Sequence, residues 1–203
     1  MAVRKILLIG DPRLKAENQI VKDLKDPKIK KVIQDLKDTM IKKDLIGMAA
    51  PQIGYNYKIF ITQPRKTKAR RLFKGDKLRI YINPRLVKLS KVENVIYEGC
   101  GCVPNLFGPV KRPQEITVEA SDIKGEKFQI RCDGILARVI QHENDHMFGI
   151  EFTDKIMDYK KLMWRDTYYK TTRNSDAQLQ ASKITIVEYK KLQSKYLVEN
   201  STS

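Results

Sequence analysis

Ile135-Leu136-Ala137-Arg138-Val139-Ile140-Gln141-His142-Glu143-Asn144-Asp145-His146-Met147 carries both histidines of the chain in one run. Ile135, Leu136, Val139, Ile140 and Met147 make this a helix apolar enough to be buried. Asp133-Gly134 can cap its start and Gly149 can end it, so the run predicts a helix from about 134 to 148. Residues i and i+4 of a helix share a face, so His142 and His146 can bind one metal ion without distorting the backbone. Glu143 then stands beside the ion's open position, where a carboxylate can take a proton from water and pass it to a leaving group. A solvated helix that carried His, Glu and Asp by chance would lack the apolar stripe.

A catalytic ion usually takes three protein ligands, and the chain has no further histidine. Cys100 and Cys102, in the glycine-rich turn Tyr97-Glu98-Gly99-Cys100-Gly101-Cys102-Val103-Pro104, are strong candidates, because thiolates bind zinc and iron well. A protease-like site would instead draw on the downstream acids Glu151, Asp154, Asp158, Asp166, Asp176 and Glu188, which are candidates by elimination.

Gly47-Met48-Ala49-Ala50-Pro51-Gln52, Glu98-Gly99-Cys100 and Gln141-His142-Glu143-Asn144-Asp145-His146, in this order, resemble the three signature motifs of peptide deformylases. Gly10-Asp11-Pro12-Arg13-Leu14 looks like that family's N-terminal pattern, and the resemblance runs to about residue 155. It implies that Cys100, His142 and His146 hold the metal and that Glu143 is the general acid/base. Gln52 and the backbone N–H of Gly101 would stabilise the oxyanion. It also implies Fe²⁺ as the native ion, with Zn²⁺, Ni²⁺ or Co²⁺ in purified protein, and a formyl-methionyl nascent peptide as substrate. Ile96, Ile135 and Val139 would line a slot for the methionine, while Ile46 and Gly47 offer backbone hydrogen bonds to an extended peptide. Glu98 would pair with Arg112 to brace the cysteine turn.

Three positions depart from the family pattern. Leu45 replaces a usual glycine and would be strained if the backbone there needs positive φ. Gly101 replaces a usually bulky residue. Cys102, in place of serine, could compete for the metal or form an oxidised pair with Cys100. A deformylase-like protein that has lost turnover and binds ribosome or RNA would account for all three. A zincin-type metalloendopeptidase would share His142, Glu143 and His146 but take its third ligand downstream.

Around the motifs, Ile29, Val32, Ile33, Leu36 and Met40 recur at helical spacing and predict an amphipathic helix over 28–43. β-type segments are predicted at 57–62, 78–83, 85–89, 92–97, 115–120 and 127–131, divided by turn signals such as Asn83-Pro84 and Lys124-Gly125. The fold class is α+β, with antiparallel or mixed sheets packed around the metal-binding helix. Residues 1–155 form a catalytic domain and 156–203 a partly helical C-terminal extension. Within the extension Tyr159–Arg165 reads as helical, Ile184–Val187 as a strand or the start of a final helix, and Glu199–Ser203 as frayed.

A net charge of +16 and a pI near 9.7 draw the surface to polyanions. The charge peaks from Arg65 to Lys77, read either as a solvated loop or as a contact to ribosomal RNA. No apolar run approaches the ~20 residues of a membrane span. An odd count of three cysteines argues against a disulfide framework, and Cys132 reads as a small buried hydrophobe. With no secretory or transit pattern at the start, the expectation is a cytoplasmic protein in a reducing compartment.

Overall fold

The computed structural model describes residues 3–193. Its elements run α1 (Pro27–Lys42), β1 (Gly47–Ala49), β2 (Ile59–Thr62), β3 (Arg79–Leu89), β4 (Glu93–Cys100), β5 (Val103–Pro113), β6 (Glu115–Ser121), β7 (Lys127–Asp133), α2 (Gly134–His146), β8 (Met163–Trp164), α3 (Arg165–Thr171), α4 (Asp176–Ala181) and β9 (Val187–Lys191). A six-stranded sheet has the order β1-β2-β3-β6-β7-β9, and a three-stranded sheet has the order β4-β5-β8. Every strand pair in the two sheets is antiparallel. The fold is α+β.

Helix α1 starts where the Asp26 carboxylate accepts the Lys28 N–H at 2.8 Å and Pro27 fills the first turn, the position where its missing donor costs nothing. The predicted stripe of α1 packs on Met48, Ile59, Ile61 and Ile82 of the large sheet. Side chains alternate across a strand, so Phe60 points to the other face, where it joins Tyr81, Ile135, Leu136 and Val139. Strand β2 is thus covered by α1 on one face and α2 on the other, which is why Ile59-Phe60-Ile61 reads as an unbroken apolar run. Each of these side chains contributes roughly 1.5–3 kcal/mol by leaving water.

Two strand predictions need correction. Segments 78–83 and 85–89 are one strand, β3, and Asn83-Pro84 forms a bulge rather than a turn, with the register slipping between Ile82 and Arg85. Asn83 takes φ of 51°, a conformation asparagine tolerates, and its side chain bonds both the N–H and C=O of Val21 at 2.9 Å. Strand β5 had no predicted counterpart, because Pro104, Pro109 and Pro113 argue against a strand. The fold accommodates Pro109 opposite Tyr97, whose N–H turns away to Gln178 Oε1 at 3.1 Å. No ladder bond is lost there.

Beyond residue 155 the helix expected at Tyr159–Arg165 is absent. A 3-10 turn (Tyr159–Lys161) and β8 occupy that stretch, and α3 begins at Arg165. Of the two readings for Ile184–Val187 the strand holds, starting at Val187 as β9 and pairing with β7. Asp133 sits at the N-cap position of α2, but its carboxylate does not cap the helix. It accepts from the N–H groups of Thr185 and Ile186 at 2.7 and 2.9 Å and from the Thr185 hydroxyl. Gly134 makes this junction possible, since a β-carbon there would fall 2.2 Å from the Lys183 carbonyl oxygen. The stretch Glu199–Ser203 lies outside the described residues.

Candidate metal centre

Three segments converge on one cavity of about 340 Å³: the turn after β1, the end of β4, and α2. Helix α2 presents His142 and His146 as its spacing requires. The His142 Nδ1 lies 2.8 Å from Glu98 Oε2, which turns the other ring nitrogen toward the centre. Cys100 ends β4, and its Sγ lies 3.4 Å from His146 Nε2. The ligand atoms of Cys100, His142 and His146 fall within 4.8 Å of one another. Bond lengths of about 2.0 Å to nitrogen and about 2.3 Å to sulfur place the ligands of one tetrahedral ion about 3.5 Å apart. The donor set fits a soft or borderline divalent ion with little adjustment.

Hydrogen bonding to Cys102, the charge of His146 and a hydrogen bond to His142 hold the Cys100 thiol well below its ordinary range, against the effect of burial. Cys100 is therefore disposed to be a thiolate. Cys102 is not a competitor: it is fully buried with Leu7 and Leu14, and its bond to Cys100 and its burial push its thiol up. All three cysteines are unbridged, so the oxidised pair is also absent. Cys132 lies in the main core, as its sequence context suggested.

Glu143 is buried, and its Oε2 has no hydrogen-bond partner. Burial pushes its carboxyl up to about 7. An orphaned carboxylate oxygen lining the cavity beside three metal-ligating atoms is suited to a bound water. Gln52 is fixed from the other side. Its Oε1 accepts the Ala49 N–H at 2.7 Å, which orients the amide so that Nε2 donates toward Cys100 Sγ at 3.2 Å. Gly47 allows β1 to approach α2, since a β-carbon there would fall 2.4 Å from Val139 Cγ1 and 2.5 Å from Glu143 Oε1.

Behind the ligands, Arg112 holds Glu98 through two bonds of 2.7 and 2.9 Å and Asp145 through one of 2.6 Å. Arg138 adds a third cationic contact to Glu98 at 2.9 Å. Burial alone would raise the Glu98 carboxyl, but the charge of Arg112 and the bond to His142 hold it well below the usual range. Arg138 was not singled out from the sequence. Its signal was an arginine four residues before His142 on an otherwise apolar helix face.

Gln52, Cys100, Gly101, His142 and Glu143 all line the cavity, as do Ile46, Gly47, Ile96, Ile135 and Val139. His146 is not part of the lining and is only 2% exposed. The carbonyl of Ile46 is already spent on the Gln63 N–H at 2.7 Å. By the alternation of an antiparallel ladder, Gly47 then points its backbone groups outward from β1, the edge strand of its sheet. None of the downstream acids joins the cluster of ligand atoms formed by Cys100, His142 and His146 among the described residues; Glu151 pairs with Lys15, and Asp166 with Arg165. Arg70, Phe107, Tyr169 and Arg173 also line the cavity and were not anticipated, because only the tertiary fold brings them there.

A family model described as polypeptide deformylase matches residues 3–162. The chain is 37% identical over 164 residues to a peptide deformylase of Thermomicrobium roseum, covering 81% of this chain and 92% of that one. It is 36% identical over 154 residues to the chloroplastic peptide deformylase 1B of Solanum lycopersicum, covering 76% of this chain. The match spans about half, 53%, of the plant protein's length. Among solved structures, the Met-ala-ser bound peptide deformylase of Acinetobacter baumannii superposes with a TM-score of 0.71 at 26% identity, covering 76% of this chain and 99% of that one.

Proposed function

The chain belongs to the polypeptide deformylase family, and on that premise we propose that it hydrolyses the formamide of formyl-methionyl nascent polypeptides, releasing formate. The observation that carries this reading is the unpaired Glu143 oxygen in a cavity shared with the Cys100, His142 and His146 donor set. When bound there, a divalent ion supplies the Lewis acidity that lowers the pKa of water from about 15.7 toward ~7.

The residues of the chain do the rest. Glu143, with its carboxyl near 7, takes the proton of the attacking water and returns it to the leaving nitrogen. Gln52 Nε2, held in orientation by Ala49, donates to the oxygen on which charge develops, and the Gly101 N–H joins it. Each such donor lowers the barrier by on the order of 3 kcal/mol. The substrate chain adds to β1 as a strand through Gly47 and the outward edge beside Ile46, with the methionine side chain against Ile96, Ile135 and Val139. The solved relative bound to Met-ala-ser supports a peptide of this kind.

A thiolate with two imidazoles accepts Fe²⁺, Zn²⁺, Ni²⁺ and Co²⁺ alike, and it is the resemblance to the deformylase family that makes Fe²⁺ the ion we assign. Residues 1–155 are the catalytic unit and 156–203 an extension. The exposed cations Lys66, Lys68, Arg71, Lys74 and Lys77 favour a salt-sensitive contact with ribosomal RNA. Three unbridged cysteines favour a reducing compartment, and the cytoplasm is the location we propose. No helix among the described residues is long and apolar enough to cross a membrane. Formate release from formyl-Met-Ala-Ser by anaerobically prepared protein tests the reaction; intact substrate after exposure to folded, metal-loaded protein would reject it.

A further inference from the structure

The family match ends at residue 162, yet Tyr169 and Arg173 beyond it line the same cavity as Cys100 and Glu143. Arg70, in the basic loop, lines it too. Two hydrogen bonds staple that loop to the extension: Asn174 Nδ2 donates to the Ala69 carbonyl at 3.2 Å, and the Arg71 N–H donates to Asn174 Oδ1 at 2.9 Å. Asn174 follows Arg173, and Ala69 and Arg71 flank Arg70, so the staple brings the two guanidiniums together.

Arg173 is held in place by aromatic rings. Its guanidinium carbon lies 4.7 Å from the Tyr169 ring centre, 5.1 Å from that of Tyr168 and 5.3 Å from that of Phe107. Tyr168 stacks on Phe107 at 4.2 Å, and Phe107 in turn fills the space beside Gly99, next to the ligand Cys100. The Nε of Arg173 is buried with no hydrogen-bond partner.

Of the other charged groups lining the cavity, Arg138 pairs with Glu98, Arg165 with Asp166, and Asp44 with Arg65, while Lys43 and Glu143 have no ion pair among the described residues. Arg70 and Arg173 have no ion pair among the described residues. Burial and the charge of Arg173 push the Arg70 guanidinium down to about 10. Two neighbouring cations and an orphaned donor in a substrate cavity are unfavourable until an anion arrives.

We infer that Arg70 and Arg173 form a subsite for a carboxylate side chain of the substrate, downstream of the formyl-methionine. This rests on the deformylase reading above. Formyl-Met peptides with Glu or Asp at the second or third position are then preferred over those with Gln or Asn, by about tenfold, the scale of one charge-assisted hydrogen bond. The preference shows in KM rather than kcat, since the contact is to a side chain that does not react and is equal in ground and transition states.

The test is the dissociation constant and kcat/KM of formyl-Met-Ala-Glu against formyl-Met-Ala-Gln, and of formyl-Met-Glu-Ser against formyl-Met-Gln-Ser, with the full chain. Selective binding of the acidic peptides, reduced to within about twofold in Arg70→Gln and weakened in high salt, is the expected result. Because Arg173 also supports the aromatic stack, Arg173→Lys, which keeps the charge but loses the fork, is the gentler second variant. Equal binding of acidic and amide peptides at both positions, or selectivity untouched by Arg70→Gln, overturns the subsite. Selective binding without formate release leaves the subsite standing and removes the hydrolase reading instead.

Discussion

Leu45 and Gly101 share one space: Leu45 Cδ1 lies 3.4 Å from the point where a β-carbon on Gly101 would stand. The family usually has glycine at the first position and a bulky residue at the second, so the two departures are complementary. Leu45 is not strained, because the left-handed backbone at the end of α1 falls on Asp44, with φ of 57°. Gly101 keeps the N–H that the proposed mechanism assigns to the oxyanion, and Leu45 fills the space beside it.

A double-mutant cycle measures this exchange. Gly101→Leu alone collides with Leu45 and with Ile6, whose Cδ1 is 3.0 Å from the added β-carbon. It is expected to cost about 1–3 kcal/mol in urea unfolding. Leu45→Gly should recover at least about 1 kcal/mol of that in the double variant. Strictly additive costs would show that the two residues do not share the space.

Arg112 neutralises two buried carboxylates, Glu98 and Asp145, and through Glu98 it fixes the His142 ring. Arg112→Ala leaves Glu98 with Arg138 as its remaining arginine and Asp145 with only Lys155 at 3.7 Å, and breaking this buried network should cost about 3 kcal/mol. Zinc affinity should fall about 10–100-fold, as loss of a group orienting a ligand usually produces. Thermal unfolding and competition with a chromogenic chelator provide the two readings. Unchanged metal affinity in a folded variant would remove the bracing role.

Asp35 ties the N-terminal segment to α1, accepting from Arg4 at 2.7 Å, Lys31 at 3.0 Å and the Tyr55 hydroxyl at 3.0 Å. Burial alone would raise its carboxyl, but these three donors outweigh burial and hold it below the ordinary value. A depressed folded pKa gives stability that is complete above the unfolded value of about 3.9 and disappears as pH falls through the folded one. Asp35→Asn should therefore be less stable than the parent by about 1 kcal/mol at neutral pH, the cations being half exposed. The difference should close as pH falls below 4. A gap independent of pH between 7 and 3 would contradict this.

Helix α1 was legible because it buries one stripe, which leaves a period of 3.6 in the sequence, and α2, buried on nearly every side, because its apolar run leads into two histidines four residues apart. The metal ligands were legible because two of them lie one turn apart and the third is in a short motif. Strand β5 was not, since Pro104, Pro109 and Pro113 are tolerated only through partners elsewhere, such as Gln178 meeting the Tyr97 N–H. The start of α3 at Arg165 was missed for a related reason: β8 forms only because Phe107 and Leu106 lie beside Met163 and Trp164. The compensation of Gly101 by Leu45 was likewise invisible, as 56 positions of chain separate them. Each miss is a tertiary contact with no local period.

Formate release should be measured for the parent chain and Glu143→Gln at equal, independently determined Fe²⁺ occupancy. Gln keeps the shape of Glu143 but cannot carry a proton between water and the leaving nitrogen, so kcat should fall by about 10²–10⁴ with metal content unchanged. Turnover in Glu143→Gln equal to the parent's, or a folded, iron-loaded parent that releases no formate, would contradict the mechanism proposed for this site.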